Sequence, residues 1–321
     1  MKLKILLLGL ILILVYSCEE DLNPNAEFLE RNVLTCVVRS DTNYQVLTLT
    51  RSYQVEGLDP NENKIDPAIK NADVKMWYNN KAFQFKDSSV ARINNERYNT
   101  PVSFYYNNEM KPTPGKDIEV EALLPNGLLL RSVTTVPKTN SLYFTGSNRI
   151  ISLDNKFGHI EITWTKFTNL YYHPVLSIKY YDNNLGDNQI KVKVVPIKYI
   201  TSQGVEKPFY PIPSEQNTVT FDQTACDRAM REISGDNPVK SDYSILDAEL
   251  KLMVFDENLS AYYSSVGTFL DGFTIKVDQP DFTNINGGFG IFGSYSIKYY
   301  KLNFTEEYVQ SFGYVAGITG F

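Results

Sequence analysis

The amino-acid sequence predicts a mainly β fold, with an N-terminal sandwich of immunoglobulin or transthyretin type and a second, fibronectin-like β-rich domain that carries a few inserted short helices. The 321 residues include 22 Tyr and 18 Phe, and aromatic residues are enriched in strands. Short apolar stretches recur along the chain, separated by Gly, Asn and Thr, which is typical of strands joined by turns. A chain of this length can form two domains, each with a core of its own.

The first 17 residues have the three parts of a secretory signal peptide. Two lysines lie within the first four residues, and an unbroken apolar run then extends from Leu6 to Val15. This run is too short to cross a hydrocarbon layer of about 30 Å. The residues that follow resemble the lipobox of bacterial lipoproteins, in the order Leu14-Val15-Tyr16-Ser17-Cys18. We therefore expect residues 1–17 to be cleaved and Cys18 to carry lipid, and an ordinary cleaved signal peptide is the alternative.

Three acidic residues, Glu19, Glu20 and Asp21, directly follow this cysteine. Acidic residues at this place resemble the surface-export signal of Bacteroidota lipoproteins, and the alternative is a solvated acidic tether. Several acyl chains on one cysteine anchor a protein stably without a transmembrane helix. We expect residues 18–30 to be a lipidated tether at the outer membrane, with the extracellular face favoured over the periplasmic face.

Charge and cysteine content restrict the partners that the chain can have. It carries 31 basic and 37 acidic residues, and no run of like charge exceeds three, so no surface for nucleic acid is expected. Cys36 lies in a strand-like run and Cys226 in a helix-like run. A disulfide between them is compatible with an exported protein. Two buried free thiols, acting as small apolar side chains, are the alternative that the patterns favour.

Residues 31–138 are predicted to form the first sandwich. The segment Asp117–Ala122 alternates polar and apolar residues, which places its apolar residues on one buried face. The turn Pro125-Asn126-Gly127 then predicts a hairpin, because Asn and Gly tolerate positive φ. The strands predicted in this domain are Val33–Val38, Gln45–Tyr53, Val74–Tyr78, Ala82–Phe85, Asp117–Ala122 and Leu128–Val136.

Residues 139–321 are predicted to form the second domain. Ile160, Ile162 and Trp164 alternate with polar residues, and a buried tryptophan on an early strand resembles a fibronectin-type sandwich. The further strands predicted in this domain are Leu176–Tyr181, Ile190–Val195, Leu250–Phe255 and Phe273–Val277. The predicted helices are Gln223–Ile233 behind a capping Asp222, Leu259–Val266, and a short helix from a capping Thr305 to Gly313.

Candidate catalytic residues are few, because the chain has two histidines. His159 is expected to face solvent, and His173 lies at the start of a predicted strand. Neither belongs to a metalloprotease, serine-hydrolase or phosphate-binding motif. A catalytic triad would require one of them to meet Ser and Asp through the tertiary fold alone. We expect no catalytic residue, no metal and no cofactor.

Two other patterns point only weakly to binding. Asp59, Asn61 and Asn63 have the spacing of a calcium loop, but Lys64 and Lys70 stand where such a loop needs Gly and Glu, so a polar loop is expected. Adjacent tyrosines could form a platform for glycans. Because neighbours on a strand point to opposite faces, we expect one ring of each pair to lie in a core. The pairs are Tyr105-Tyr106, Tyr171-Tyr172, Tyr180-Tyr181, Tyr262-Tyr263 and Tyr299-Tyr300.

The most specific segment of the chain is residues 281–293, in which four glycines are interleaved with Phe289, Ile291 and Phe292. This composition excludes a helix and disfavours a regular strand. We expect a tightly packed crossover in which backbone runs against backbone and the aromatic side chains anchor it. No phosphate site is implied, because no strand–loop–helix unit surrounds the glycines.

Several of these features together resemble one family, the Bacteroidota outer-membrane lipoproteins that carry "domain of unknown function 4249". The features are the lipobox with its acidic followers, the strand start Pro114–Val120, the domain end Thr134–Pro137 and the segment Asn284–Phe292. In the last segment, the residues that carry the likeness are Asn284, Gly287, Gly288, Gly290 and Phe292.

The resemblance implies an accessory role, because members of the family are typically encoded beside TonB-dependent outer-membrane receptors and have no established reaction. We therefore expect a non-enzymatic outer-membrane lipoprotein that is a partner of an outer-membrane complex, such as a TonB-dependent receptor. A surface lipoprotein that binds a glycan or another ligand is the alternative. A hydrolase with an unusual site would need a cleft that gathers His159 or His173 with carboxylates.

Overall fold

The computed structural model describes residues 29–55, 59–145, 149–155, 157–184, 189–202, 204–267 and 282–317. Within these ranges the chain is mainly β with few short helices, so the predicted fold class is confirmed. None of the helices in these ranges has the length and apolar character of a membrane span. The predicted strand Phe273–Val277 lies outside the described residues.

The first unit is a β-sandwich. Its strands are β1 (Asn32–Arg39), β2 (Gln45–Arg51), β3 (Asp73–Tyr78), β4 (Lys81–Val90), β5 (Val102–Asn107), β6 (Asp117–Leu123) and β7 (Leu129–Thr135). In one sheet β1 pairs with β2, and β5 and the second half of β4 continue beyond β2. In the other sheet β3 lies between β6 and the first half of β4, and β7 pairs with β6. Strand β4 therefore belongs to both sheets, and the first core lies between them.

The alternation in the sequence decided these strands correctly. Ile118, Val120 and Ala122 on β6 are fully buried, as predicted from their spacing. The six strands predicted for this unit are all present, with ends that differ by a few residues. Strand β5 was not predicted, because its sequence has no regular alternation of apolar and polar residues.

The second unit packs a large sheet against a small one. Its strands are β8 (Phe144–Thr145), β9 (Ile150–Ile151), β10 (His159–Trp164), β11 (Tyr172–Asp182), β12 (Ile190–Val195), β13 (Lys198–Ser202), β14 (Val205–Phe209), β15 (Thr218–Asp222), β16 (Tyr243–Phe255), β17 (Phe289–Phe304) and β18 (Val315–Ala316). The large sheet continues in the order β12-β11-β16-β17, and the small sheet has the order β15-β10-β8. Trp164 on β10 is buried in the second core, as predicted.

Three helices accompany the second unit: α1 (Gln223–Arg231), α2 (Glu257–Gly267) and α3 (Glu306–Gln310). Single 3-10 turns lie at Pro60–Glu62 and Lys240–Asp242. The predicted cap of α1 is wrong, because Asp222 is the last residue of β15 and its side chain makes no capping hydrogen bond. The predicted cap of α3 is confirmed, since the Thr305 hydroxyl accepts the Tyr308 N–H at 3.3 Å.

Strand β17 has 16 residues and joins the two units. Its first part, Phe289–Tyr295, pairs in parallel with β1, and its later part pairs antiparallel with β16. Phe292 lies in the first core and Leu302 in the second. The first core therefore includes residues, Ile285 and Phe292, that the sequence analysis assigned to the domain of residues 139–321.

Glycines let β17 approach β1 closely. Gly290 has a φ of +113°, and a Cβ added there would overlap the Leu34 carbonyl oxygen. A Cβ on Gly288 would lie 2.7 Å from the Asn32 carbonyl oxygen. The expected contact of backbone with backbone is confirmed. The expectation of a poor strand is wrong, because the missing side chain is what allows Gly290 to pair within β17.

Substitution of Gly290 by Ala should lower the free energy of unfolding by about 3 kcal/mol or more, because a positive φ and a steric overlap act together. Gly127→Ala is the matched control, since Gly127 also has a positive φ but no atom lies within 4 Å of its added Cβ. The control should lose about 1 kcal/mol. Urea unfolding measures both, and equal losses would contradict the steric explanation.

Candidate functional site

The predicted lipidation site Cys18 and the predicted export signal, Glu19, Glu20 and Asp21, lie outside the described residues. The first described residue is Leu29, three residues before β1 begins. The structure therefore describes the part of the protein that follows the predicted tether.

Asn284 holds the start of β17 in place. Its side-chain Nδ2 donates to the Phe292 carbonyl oxygen at 2.7 Å, and its Oδ1 accepts the Phe292 N–H at 2.9 Å. One amide side chain thus supplies both hydrogen bonds that a neighbouring strand would supply. Phe292 is fully buried between the sheets of the first unit.

The same segment is tied to strand β7. Asn286 and Arg131 exchange two backbone hydrogen bonds, of 2.8 and 3.0 Å. A Cβ on Gly287 would lie 2.5 Å from the Leu129 carbonyl oxygen, so the two backbones are in contact here. The segment that carries the family likeness therefore clamps β1, β7 and β17 together, and its residues have a packing role.

Asp256 lies where the two units meet, and the sequence analysis did not single it out. Its side chain is buried and caps α2, because Oδ1 accepts the Leu259 N–H at 2.8 Å. The Thr134 hydroxyl on β7 donates to its other oxygen and lies 3.1 Å from the Ser294 hydroxyl on β17. Burial raises the pKa of Asp256, and the hydrogen bonds from these groups oppose the shift. An Asp between a predicted strand and a predicted helix is a capping signal.

A cavity of about 570 Å³ opens beside Asp256. This volume falls within the range of small-molecule sites, which is about 300–1,000 Å³. Its lining combines apolar walls with polar groups at the edge. The walls are Val136, Pro137, Phe167 and Leu170, and the polar edge is Lys138, Ser141, Glu257 and Asn258. Such a lining fits a small amphipathic molecule.

The two histidines lie in different surroundings. His159 Nδ1 is 2.8 Å from the Phe157 carbonyl oxygen, at the start of β10. His173 Nε2 is 3.1 Å from the Pro211 carbonyl oxygen, and burial lowers its pKa. Each ring is thus held by a backbone carbonyl. Within the described ranges, no three His, Cys, Asp or Glu side chains come close enough to hold a metal ion.

The two described cysteines are free and buried, so the preference for free thiols over a disulfide is confirmed. Cys36 belongs to the first core and Cys226 to the second. Burial raises the pKa of both thiols, to about 12 for Cys226. Because a thiolate is the reactive form, both are chemically inert small apolar side chains.

An exposed apolar row lies on β12, the last strand of the large sheet. Ile190, Val192 and Val194 are exposed to 55%, 59% and 37%. They occupy one face of the strand, because side chains alternate along it. The sequence predicted this strand, but apolar alternation normally marks a buried face, and here it marks the outer one.

The inner face of β12 explains this inversion. Lys191 and Lys193 lie opposite Tyr180 and Ile178 of β11, on the side of the second core. Lys191 pairs with Asp182 at 2.9 Å and Lys193 with Glu232 at 2.8 Å. Inward-pointing charges on an edge strand hinder the addition of a further strand. The apolar row is therefore available through its face rather than through its edge.

Charged pairs border the apolar row on the outer face of the sheet. Lys179 on β11 pairs with Glu249 on β16 at 2.7 Å, and Lys301 on β17 lies 3.4 Å from Asp247. An apolar centre with a polar rim is the usual composition of a protein interface. We call this surface, Ile190, Val192 and Val194 with its bordering ion pairs, the β12 face.

The other weighed patterns have local explanations. Asp59 caps the 3-10 turn at Pro60–Glu62, with its Oδ1 accepting the Asn61 N–H at 2.8 Å, as expected for a polar loop. One ring of the pair is buried and the other is less buried at three of the five tyrosine pairs: Tyr105-Tyr106, Tyr171-Tyr172 and Tyr299-Tyr300. The expectation is wrong for Tyr180-Tyr181 and for Tyr262-Tyr263, where both rings are half-buried.

No protein-family model and no curated protein matches the chain. Among solved structures, the chain is similar to the full ectodomain of mouse nectin-like molecule 4, which comprises Ig1–Ig3. The sequences are 7% identical and the TM-score is 0.16, over 85% of this chain and 64% of that one. The chain thus spans less than two thirds of that ectodomain, and the similarity is too low to carry an argument.

Asp256→Asn should change how stability depends on pH. Because the folded-state pKa of Asp256 is raised above the unfolded value, the folded protein holds the proton more tightly. The wild type therefore loses stability relative to the variant as the pH rises from about 4 through the folded-state pKa. Urea unfolding at a series of pH values measures this difference.

Asp41→Asn is a control of opposite sign. The hydrogen bond from Arg39 lowers the pKa of Asp41, so the wild type gains stability relative to this variant as the pH rises through the lowered value. The same slope for both variants would contradict the role of burial at Asp256.

Proposed function

We propose that the chain is a non-enzymatic outer-membrane lipoprotein, anchored by lipid on Cys18, that binds a partner protein of an outer-membrane complex such as a TonB-dependent receptor. The observation that carries the binding role is the β12 face. Contiguous exposed aliphatic side chains rimmed by charged pairs are typical of protein-binding surfaces. The aliphatic row would supply the buried centre, and the ion pairs would supply the rim.

The anchoring part of the proposal rests on the lipobox before Cys18. The extracellular face is favoured because Glu19, Glu20 and Asp21 follow it and resemble a surface-export signal. The non-enzymatic part is supported by the surroundings of His159 and His173, whose ring nitrogens contact backbone carbonyls. A general base would instead need a reacting group within hydrogen-bond reach.

Val192→Lys tests the binding role. A lysine in the centre of an interface introduces a charge that loses its water, so we expect at least about a tenfold loss of affinity, or about 1.4 kcal/mol. The measurement is quantitative co-purification of partners with the lipidated protein from native membranes. Val133→Lys is the matched control, because Val133 on β7 is 54% exposed and Val192 is 59% exposed.

Equal recovery of partners with both lysine variants would remove the β12 face as the binding surface. Cys18→Ala separates this result from the anchoring proposal. We expect that variant to fold and to leave the membrane fraction, and normal membrane localisation of the Cys18→Ala protein would overturn the lipid anchor.

A second candidate function is ligand binding in the cavity beside Asp256, which corresponds to a glycan- or ligand-binding lipoprotein. The mixed lining of the cavity favours it. Glycans and small amphipathic molecules should raise the melting temperature of the wild type, because binding stabilises the folded state. Leu170→Trp, which fills the cavity, should abolish the increase. An increase that persists in the filled variant, or none with any compound, would remove this candidate.

A further inference from the structure

One end of the first unit carries the beginning of the described chain. The register pairs Asn32 with Arg51, so β1 begins where β2 ends. Strand β5 begins at the same end, because Leu47 pairs with Tyr105 and the two strands are antiparallel. The loops that follow β2 and precede β5 therefore leave from this end. We call Leu29–Arg31, residues 59–72 and residues 91–101 the proximal end.

The two loops of the proximal end are braced against each other. The Asn99 N–H donates to the Lys64 carbonyl oxygen at 2.8 Å, and the Asp66 N–H donates to the Thr100 hydroxyl at 2.9 Å. The Asp66 carboxylate also pairs with the Arg92 guanidinium. Hydrogen bonds and an ion pair thus fix the shape of the loop pair, and the charge of Arg92 is compensated.

This braced pair presents aliphatic side chains to solvent. Ile65 is 67% exposed and Ile93 is fully exposed, although each follows or precedes a residue of the brace. Beside them, the Arg92 and Arg97 guanidinium groups lie 5.2 and 4.8 Å from the centre of the Tyr98 ring. Aliphatic tips next to Tyr and Arg are typical of side chains at a membrane interface, where the rings and the long basic chains lie at headgroup depth.

The length of the preceding chain places this end near the predicted lipid. Leu29 is the eleventh residue after Cys18, and an extended chain covers at most about 3.6 Å per residue, so the two lie within about 40 Å of each other. Strand β17 begins at the proximal end, where Val33 pairs with Phe289, and extends about 50 Å away from it at about 3.3 Å per residue. The opposite end of the protein is therefore much further along the chain axis.

We propose that the proximal end rests on the lipid surface that holds Cys18, with Ile65 and Ile93 inserted at the interface. The inference depends on the lipid anchor of the proposed function. A tether of this length keeps the loops at high local concentration beside the bilayer, so two aliphatic tips suffice for a contact that free protein would not make. The contact would orient β17 away from the membrane.

The test uses the lipidated full-length mature protein in vesicles of phosphatidylethanolamine and phosphatidylglycerol. Ile93→Cys is labelled with an environment-sensitive fluorophore, and nitroxide-labelled lipids serve as quenchers. Cys36 and Cys226 are buried, so labelling is selective. Leu153→Cys is the matched control, because Leu153 is 58% exposed and follows β9, which pairs with the last residues of β17.

We expect the label at position 93 to lose about half of its fluorescence to the nitroxide lipids and the label at position 153 to lose almost none. Vesicle-bound protein with equal, weak quenching at both positions would overturn the lipid contact and leave the anchor intact. Protein that does not stay with the vesicles would overturn the anchor and the contact together. Protection at position 93 in native membranes but not in these vesicles would assign the surface to a protein, which also overturns the proposal.

Discussion

The parallel pairing of β1 with β17 is the contact on which both units depend. The two strands come from opposite parts of the described chain, and parallel strands cannot be joined by a tight turn. The pairing brings Phe292 into the first core and closes a very long loop, whose entropic cost grows only slowly with length. Gly288 and Gly290 permit the approach, and Asn284 supplies the hydrogen bonds on the other side of Phe292.

From this pairing, β17 carries the order of the first unit into the second. Its later residues are the template for β16, which in turn positions β11 and β12. Asp256 stands at the end of β16 and contacts groups on β7 and β17. A continuous strand and a buried carboxylate therefore connect the units, and a change at this junction is felt on both sides because packed interiors transmit strain.

The arrangement separates two surfaces along one axis. The chain starts at the proximal end beside the beginning of β17, and the β12 face belongs to the unit at the other end of that strand. A lipid-anchored protein built in this way would present its apolar row away from the bilayer, at a distance set by the rigid length of β17. This geometry suits an accessory protein that must reach a neighbour in the same membrane, and it is the reason for the two proposals.

Sequence reasoning succeeded where information is local. Alternation predicted β6 and β10 with their buried residues, Thr305 predicted the start of α3, and the glycine segment predicted a close backbone contact. It missed β5 and the hairpin of β13 and β14, which carry no regular alternation. It also named Asp222 as a cap and overlooked Asp256, since two similar capping patterns differ only in what the side chain meets after folding.

The amino-acid sequence by itself determined the β-rich class, most of the strands and the export signal at Cys18, because propensity, period and motif are properties of neighbouring residues. Only the tertiary structure decided that β17 completes the first core, that Asp256 joins the units and that Ile190, Val192 and Val194 face outward. The physical reason is that alternation states which residues share a face, whereas the partner strands decide which face is covered.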